Sequence, residues 1–154
     1  MNQYYCHFVS NRPLNDTSTK KKDFDIWYVD REHKNKKWSE PKNMGKPINS
    51  DLDEFYPTLS DNNNLYFTMS APDGLGKDDI YFCKWDAGSY LAPVLLSDNI
   101  NSIGYEFNAF ISKKEDFILY KKYEKLFRKI KKVAKEVVIY IFHEKKQTKL
   151  GENL

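Results

Sequence analysis

The sequence is poor in the residues on which many catalytic and metal-binding sites depend. It contains two cysteines, three histidines and six glycines. Cys6 and Cys83 form no CxxC pair and no zinc-ligand spacing, and because both lie in runs of apolar and aromatic residues we expect buried thiols. His7, His33 and His143 lie far apart, and no G-x-S-x-G or HExxH motif occurs. We therefore predict no catalytic residue, no cofactor-binding residue and no metal ligand, and a protein that is not an enzyme.

Long apolar runs and a uniform charge are also missing. No run approaches the roughly 20 apolar residues of a membrane span. The first residues have neither the basic start nor the apolar stretch of a signal peptide, so we expect no export of the chain as written. The chain has 25 Lys+Arg and 22 Asp+Glu; residues 121–154 hold 11 and 4 of these, which leaves 14 and 18 for residues 1–120. A uniformly basic nucleic-acid binder would not split in this way, and we predict no nucleic-acid partner.

Aromatic residues, in contrast, are abundant: 10 Phe, 11 Tyr and 3 Trp in 154 residues. Aromatic side chains favour pleated, half-buried surfaces, which indicates β structure. Disordered chains are poor in them. The composition therefore predicts a folded chain rich in strands.

Two stretches of the chain resemble each other at a nearly constant spacing. An offset of 52 residues aligns Pro41 with Pro93, Ile48-Asn49-Ser50 with Ile100-Asn101-Ser102, Glu54-Phe55 with Glu106-Phe107, Ser60 with Ser112, and Leu65-Tyr66-Phe67 with Phe117-Ile118-Leu119. Upstream, Asp25-Ile26-Trp27-Tyr28 aligns with Asp79-Ile80-Tyr81-Phe82 at 54, and Phe8-Val9-Ser10 with Thr68-Met69-Ser70 at 60. The offset changes only in polar stretches, where loops absorb insertions at little cost. A period near 50 with several short strands per unit is typical of a β-propeller blade.

Each unit is predicted to contain four short strands. In the second unit, apolar runs bounded by turn residues predict strands at 65–70, 79–84 and 91–96, a turn at 86–89, and a strand at 105–111 that opens the next sheet. We therefore predict an all-β fold, a partial β-propeller of antiparallel four-stranded blades. The loop from Asp73 to Asp79 contains acids and glycines but lacks the residue order of a calcium loop, which favours a tight connection between strands.

The repeat residues resemble a known family. Trp38-Ser39-Glu40-Pro41-Lys42-Asn43-Met44-Gly45-Lys46-Pro47-Ile48-Asn49-Ser50 resembles the W-x-x-P-x-N-L-G-x-x-I-N-S/T pattern of WD-repeat-like propellers of the TolB type. Asp53-Glu54-Phe55-Tyr56-Pro57-Thr58-Leu59-Ser60-Asp61 is similar to their D-E-x-x-P-x-L/I-S-x-D segment. The resemblance covers about residues 5–120. The second unit departs from it, with Tyr90 in place of Trp, Leu95-Leu96-Ser97 in place of N-L-G, and Ala109 in place of Pro.

The resemblance implies a location and a type of function. Members of this family are typically exported to the periplasm or outer envelope, where they act as interaction platforms or as propellers attached to peptidases or anchoring domains. It implies a non-catalytic propeller fragment that binds a protein or an envelope polymer through its loops; the alternative is the propeller portion of a larger exported hydrolase. Pro and Gly would set the turns, Trp and Tyr would fill the space between blades, and the Asp-Glu pair would cap strands by hydrogen bonding. Because a propeller needs about 4–8 blades, we expect the fragment to require missing blades or self-association.

The tail differs from the repeat segment, so the predicted division is 1–120 for the propeller blades and 121–154 for a divergent basic tail. Its apolar positions recur at spacings of 3 and 4, which predicts a basic amphipathic helix that is either solvated or bound to a membrane surface or an acidic partner: Tyr120, Tyr123, Phe127, Ile130, Ala134 and Val137. A third interpretation fits better. Because the genetic code is degenerate, the codons of residues 135–143, read one base earlier, can spell Gly-Gly-Gly-Asp-Leu-Tyr-Ile-Ser. In the same frame, the codons of residues 150–154 can spell Trp-Gly-Glu-Pro. Both are patterns of the family. The tail is then a frameshifted third blade, which codons unable to spell these patterns would contradict.

Overall fold

The computed structural model describes residues 3–14 and 23–123 and the backbone of 135–141. All regular structure in these ranges is β, which confirms the all-β prediction, and every pair of neighbouring strands is antiparallel. In chain order the strands are β1 (Tyr4–Ser10), β2 (Asp25–Arg31), β3 (Lys42–Asn43), β4 (Glu54–Leu59), β5 (Leu65–Met69), β6 (Asp79–Cys83), β7 (Trp85–Asp86), β8 (Ser89–Tyr90), β9 (Val94–Leu95), β10 (Tyr105–Ile111), β11 (Phe117–Tyr123) and β12 (Lys135–Ile141).

The strands form three consecutive sheets and one hairpin. Sheet 1 has the order β1-β2-β3, sheet 2 the order β4-β5-β6-β9, and sheet 3 the order β10-β11-β12. The hairpin β7-β8 turns at Ala87 and Gly88, both with positive φ (46° and 92°), as a two-residue hairpin turn with the right twist requires. Sheet 2 has the four antiparallel strands expected of one unit, and the other two sheets have three described strands each.

The backbone repeats in detail, including its irregularities. The β4–β5 register shifts between Phe55 and Thr58, and the β10–β11 register shifts between Phe107 and Phe110. Each shift is a β-bulge with one residue at positive φ, and these two residues, Tyr56 (54°) and Asn108 (56°), are 52 positions apart. The two units that are 52 residues apart in the sequence therefore also repeat the same backbone conformation.

Strand pairing corrects the predicted alignment of two strands by one residue. Leu59 pairs with Leu65, whereas its equivalent Ile111 pairs with Ile118, so β5 and β11 are offset by 53 rather than 52. The turn that begins at Ser112 contains the extra residue. Likewise, Phe8 pairs with Trp27 as Phe67 pairs with Tyr81, which makes the offset of β1 from β5 59 rather than 60. Pro13 then corresponds to Pro72.

Three of the residues predicted to lie on the basic helix of the tail lie in strands instead. Tyr120 and Tyr123 lie in β11 and Val137 lies in β12, and the two strands pair along their length from Phe117↔Ile141 to Tyr123↔Lys135. The run of β-branched residues at 137–139 favours a strand over a helix. Phe127, Ile130 and Ala134 lie outside the described residues, and so does the rest of the predicted helix.

Two apolar clusters lie on the two faces of sheet 2, so that β5 and β6 are buried at every residue. The first cluster joins sheets 1 and 2 and contains Ile26, Ile48, Leu65, Phe67, Met69, Tyr81 and Cys83. The second joins sheets 2 and 3 and contains Tyr66, Ile80, Phe82, Leu96, Ile100, Ala109, Ile111, Ile118 and Tyr120. Cys83 is buried as predicted, but Cys6 is exposed because β1 lies at the edge of sheet 1. The prediction of a buried thiol is therefore wrong for Cys6.

Candidate functional site: structural turns and an aromatic band

The Ile-Asn-Ser segments of the repeat form the same hydrogen-bonded turn twice. The Asn101 side chain accepts a hydrogen bond from the Ile80 backbone N–H at 2.8 Å and donates to the Ile80 and Leu96 carbonyls, both at 2.9 Å. Asn49 makes the same pair of bonds to the Ile26 N–H and carbonyl, at 2.9 Å each. Both side chains are buried. These asparagines bond to buried backbone groups at the ends of β2 and β6, which gives them a structural role.

The serines and acids that follow also act on the backbone. The Ser102 hydroxyl donates to Glu106 Oε1 at 2.6 Å, and the Ser102 N–H donates to Glu106 Oε2 at 2.9 Å. Ser50 and Glu54 repeat this contact, with 2.5 Å between the hydroxyl and Oε1. Asp53 Oδ1 accepts a hydrogen bond from the Phe24 N–H at 2.8 Å, so the Asp-Glu pair caps backbone groups as the resemblance implied.

The two equivalent glutamates differ in charge environment. Glu106 lies opposite Lys122, whose Nζ is 3.5 Å from Glu106 Oε1, whereas Glu54 lies opposite Met69. Neither glutamate has any solvent exposure. Burial raises the pKa of Glu54 to about 7, helped by the charges of Asp25 and Asp23, although the hydrogen bonds from Ser50 oppose the shift. Glu54 is therefore a buried acid that ionises near neutral pH.

The loop from Asp73 to Asp79 is a tight connection. Asp79 Oδ2 accepts a hydrogen bond from the Gly76 N–H at 2.9 Å, and Asp73 Oδ1 accepts one from the Tyr81 hydroxyl at 3.1 Å. A Cβ at Gly76 would lie 2.4 Å from the Ser102 carbonyl oxygen, so only glycine fits against the neighbouring turn. Within the described ranges, no group of three or more His, Cys, Asp and Glu residues could hold a metal ion. The described residues also contain no helix long and apolar enough to cross a membrane.

A band of aromatic rings crosses all three sheets, and we call it the aromatic band. Successive ring centroids lie 5.3 Å apart for Phe24–Phe55, 6.0 Å for Phe55–Tyr56, 6.0 Å for Tyr56–Phe107 and 5.4 Å for Phe107–Tyr123. The last pair is stacked with an interplanar angle of 6°. Phe24 and Tyr56 are 38% and 45% exposed, and the other three rings are half-buried.

Tyr56 is the most unusual residue of the band. It has φ 54° at the β-bulge of β4, and its equivalent in sheet 3, Asn108, belongs to a residue type that adopts this conformation more easily. An exposed tyrosine in a left-handed conformation costs conformational energy that an asparagine would reduce. Strain of this kind is retained mainly where a residue has a function, so Tyr56 is the strongest candidate for a binding residue.

No family model matches this chain, and no curated protein matches it. The resemblance to TolB-type propellers therefore remains a prediction from the motif residues.

The sequence alone named no site residue, and it did not single out the aromatic band. Phe55 and Phe107 occupy equivalent positions, but Phe24 reaches Phe55 from the segment that precedes β2, and Tyr123 reaches Phe107 from the neighbouring strand β11. The sequence contained one sign of the aromatic band: at the same position of the repeat, one unit has Tyr56 and the other has Asn108. Trp38, the tryptophan of the motif, is 42% exposed and stacks on the Arg31 guanidinium, which lies 4.2 Å from its ring centroid.

Proposed function

We propose that this chain is a non-catalytic repeat module of a β-propeller related to the TolB type, and that it binds a cell-envelope polymer through the aromatic band. The exposed ring of Tyr56, on a backbone with φ 54° and within a continuous row of aromatic rings, carries the proposal. The polar residues that recur in the two units are engaged with the backbone, so they supply the scaffold and leave the rings as the binding surface.

The charge and shape of the band favour a polymer of sugars. Residues 1–120 hold 14 basic and 18 acidic residues, a balance that repels polyanions such as nucleic acids. Aromatic faces are large, rigid and apolar, and the C–H face of a sugar ring can stack on them while its hydroxyl groups remain in water. Rings that follow one another at 5.3–6.0 Å would contact several units of one polymer chain.

Tyr56→Asn is expected to separate binding from folding. The substitution places the residue of the equivalent bulge at a site with φ 54°, so we expect stability to be unchanged or higher by about 0.5–1 kcal/mol while binding falls at least tenfold. Binding is measured by co-sedimentation with purified peptidoglycan sacculi, and stability by urea unfolding.

The matched control is Phe110→Ala, which removes a ring that is 53% exposed but lies outside the aromatic band. We expect this variant to bind like the unmodified chain. Equal losses for Tyr56→Asn and Phe110→Ala, or co-sedimentation that Tyr56→Asn leaves intact, would refute the proposal. No co-sedimentation of the unmodified chain would refute it as well.

A further inference from the structure

One backbone hydrogen bond recurs at the junction between sheets 1 and 2, which we call the first junction, and at the junction between sheets 2 and 3, the second junction. The Glu54 N–H donates to the Phe24 carbonyl at 2.7 Å, and the Glu106 N–H donates to the Asp78 carbonyl, also at 2.7 Å. The repeat offsets of 52 and 54 place the two bonds at equivalent positions. A difference in behaviour between the junctions must therefore come from the side chains around these bonds.

The side chains around the two bonds differ in charge. Lys122 of the second junction, which pairs with the glutamate there, is replaced by Met69 at the first junction. Lys77 of the second junction is replaced by Asp23. Among the described residues, no lysine or arginine forms an ion pair with Glu54. The first junction thus lacks the two lysines that the second junction has beside its glutamate.

The carboxyl group of Glu54 is buried and only half satisfied. Its Oε1 accepts hydrogen bonds from the hydroxyl and N–H of Ser50, whereas its Oε2 has no hydrogen-bond partner among the described residues. Asp25 and Asp23 of sheet 1 act on it through their charges, and the buried acid Asp79 lies in the same row two strands away. Ionisation of Glu54 would therefore place a buried negative charge near like charges and leave one of its oxygens without a donor.

Phe24 connects the first junction to the aromatic band. It lies between the two acids of sheet 1 that act on Glu54, and its N–H donates to Asp53 Oδ1 at 2.8 Å. Its ring is the first of the band, with its centroid 5.3 Å from that of Phe55. Separation of this segment from an ionised Glu54 would carry the Phe24 ring out of the row.

We propose that the first junction is a pH-dependent switch, which stays closed while Glu54 holds its proton and opens more often once Glu54 ionises, releasing Phe24 from the aromatic band. The second junction has the same backbone bond but no such switch, because Glu106 faces Lys122 at 3.5 Å. A polymer that contacts the whole row of rings is held by the closed junction, and this last step alone rests on the proposed function.

Amide hydrogen exchange of the full chain, followed residue by residue by NMR, tests the switch. The pKa of Glu54 is about 7 in the folded chain against an ordinary value of 4.5. Opening that brings this carboxyl into water should therefore become about tenfold more frequent between pH 6 and pH 8. The protection factor of the Glu54 N–H should fall by that amount, and that of the Glu106 N–H should not change. Equal protection of the Glu54 N–H at both pH values would overturn the proposal.

Two substitutions should abolish the switch in different ways. Glu54→Gln removes the charge with little change of shape, and Met69→Lys supplies the cation of the second junction. In both variants the N–H of residue 54 should be equally protected at pH 6 and pH 8, and Glu54→Gln decides the outcome if Met69→Lys does not fold. Burial lowers the pKa of His7 and raises that of Asp79, but both residues are present in every protein compared, so their titration cancels. A tenfold fall that persists in Glu54→Gln would overturn the proposal.

The link to the aromatic band is tested with soluble glycan strands released from peptidoglycan by amidase digestion. At about ten times their dissociation constant, the strands should slow exchange of the Glu54 N–H about tenfold at pH 8, because they bind the closed junction, and should leave the Glu106 N–H unaffected. Strands that bind without this effect would overturn the release of Phe24 from the band. Absence of binding at both pH values would refute the proposed function, whereas the protection factors at pH 6 and pH 8 would still decide the switch.

Discussion

Asn101→Ala is expected to lower the free energy of unfolding by about 3 kcal/mol, because it leaves two buried backbone groups, the Ile80 N–H and the Leu96 carbonyl, without a hydrogen-bond partner. The Ile80 carbonyl loses one of its two hydrogen bonds and keeps the one from the Leu96 N–H, and Asn101 has no solvent exposure. Asn49→Ala should cause a similar loss, since it removes the equivalent bonds to Ile26. Urea unfolding followed by tryptophan fluorescence measures both.

Asn62→Ala is the matched control, because Asn62 is exposed and its one side-chain hydrogen bond, to Glu115 Oε2, is long at 3.4 Å. We expect it to change stability by less than about 0.5 kcal/mol. A loss below about 1 kcal/mol for Asn101→Ala would mean that water replaces the side chain in the turn, which would remove the physical reason for the Ile-Asn-Ser repeat.

The contribution of Glu54 to the stability of the chain is expected to fall as pH rises from about 5 to 8, so the Glu54→Gln variant should gain stability relative to the unmodified chain over this range. Burial lowers the pKa of His7, which acts in the opposite direction but equally in both proteins, so it cancels in the comparison. The folded state holds the Glu54 proton up to a pKa of about 7, whereas the unfolded chain releases it near the ordinary value of 4.5. Stability from this group is therefore fully present below pH 4.5 and is lost as pH rises through 7. The loss should be about 2 kcal/mol, since one pKa unit is worth about 1.4 kcal/mol and solvent screening reduces the total.

Sheet 3 supplies the reciprocal test. In the Lys122→Met variant, Glu106 faces a methionine, as Glu54 does in sheet 2. The buried Glu106 carboxylate is then left without its cation. We expect a loss of about 3 kcal/mol, because removal of one partner leaves the other charge buried and uncompensated. Urea unfolding measures it. A Glu54→Gln variant with the same pH dependence as the unmodified chain, or a Lys122→Met variant that loses no stability, would contradict this account of the two glutamates.

The sequence predicted the strands of the second unit well because their limits are set by local chemistry. Strands predicted at 65–70, 79–84 and 105–111 are observed at Leu65–Met69, Asp79–Cys83 and Tyr105–Ile111. The strand predicted at 91–96 is reduced to Val94–Leu95, and the turn at 86–89 forms the hairpin β7-β8. Alternation of apolar residues and the Gly, Asn and Asp residues between them are sufficient signals for such short elements.

Register and exposure were not predictable in the same way. In the run Phe117-Ile118-Leu119-Tyr120 every residue is apolar or aromatic, so a shift of one residue changes the pattern little, and only the pairing of Ile111 with Ile118 fixes it. The exposure of Cys6 depends on which strand covers β1, which its own neighbours in the sequence cannot reveal. The aromatic band likewise depends on contacts between three sheets.

The position of sheet 2 between two apolar clusters has a consequence for how the molecule opens. Sheets 1 and 3 each share one of the two clusters, whereas sheet 2 takes part in both, so either outer sheet can detach without exposing both faces of β5 and β6. Local unfolding should therefore start at the outer sheets, and amide protons of Phe67 and Tyr81 should exchange with solvent more slowly than those of the equivalent residues Phe8 and Trp27. Solvent would therefore reach sheets 1 and 3 first and sheet 2 last.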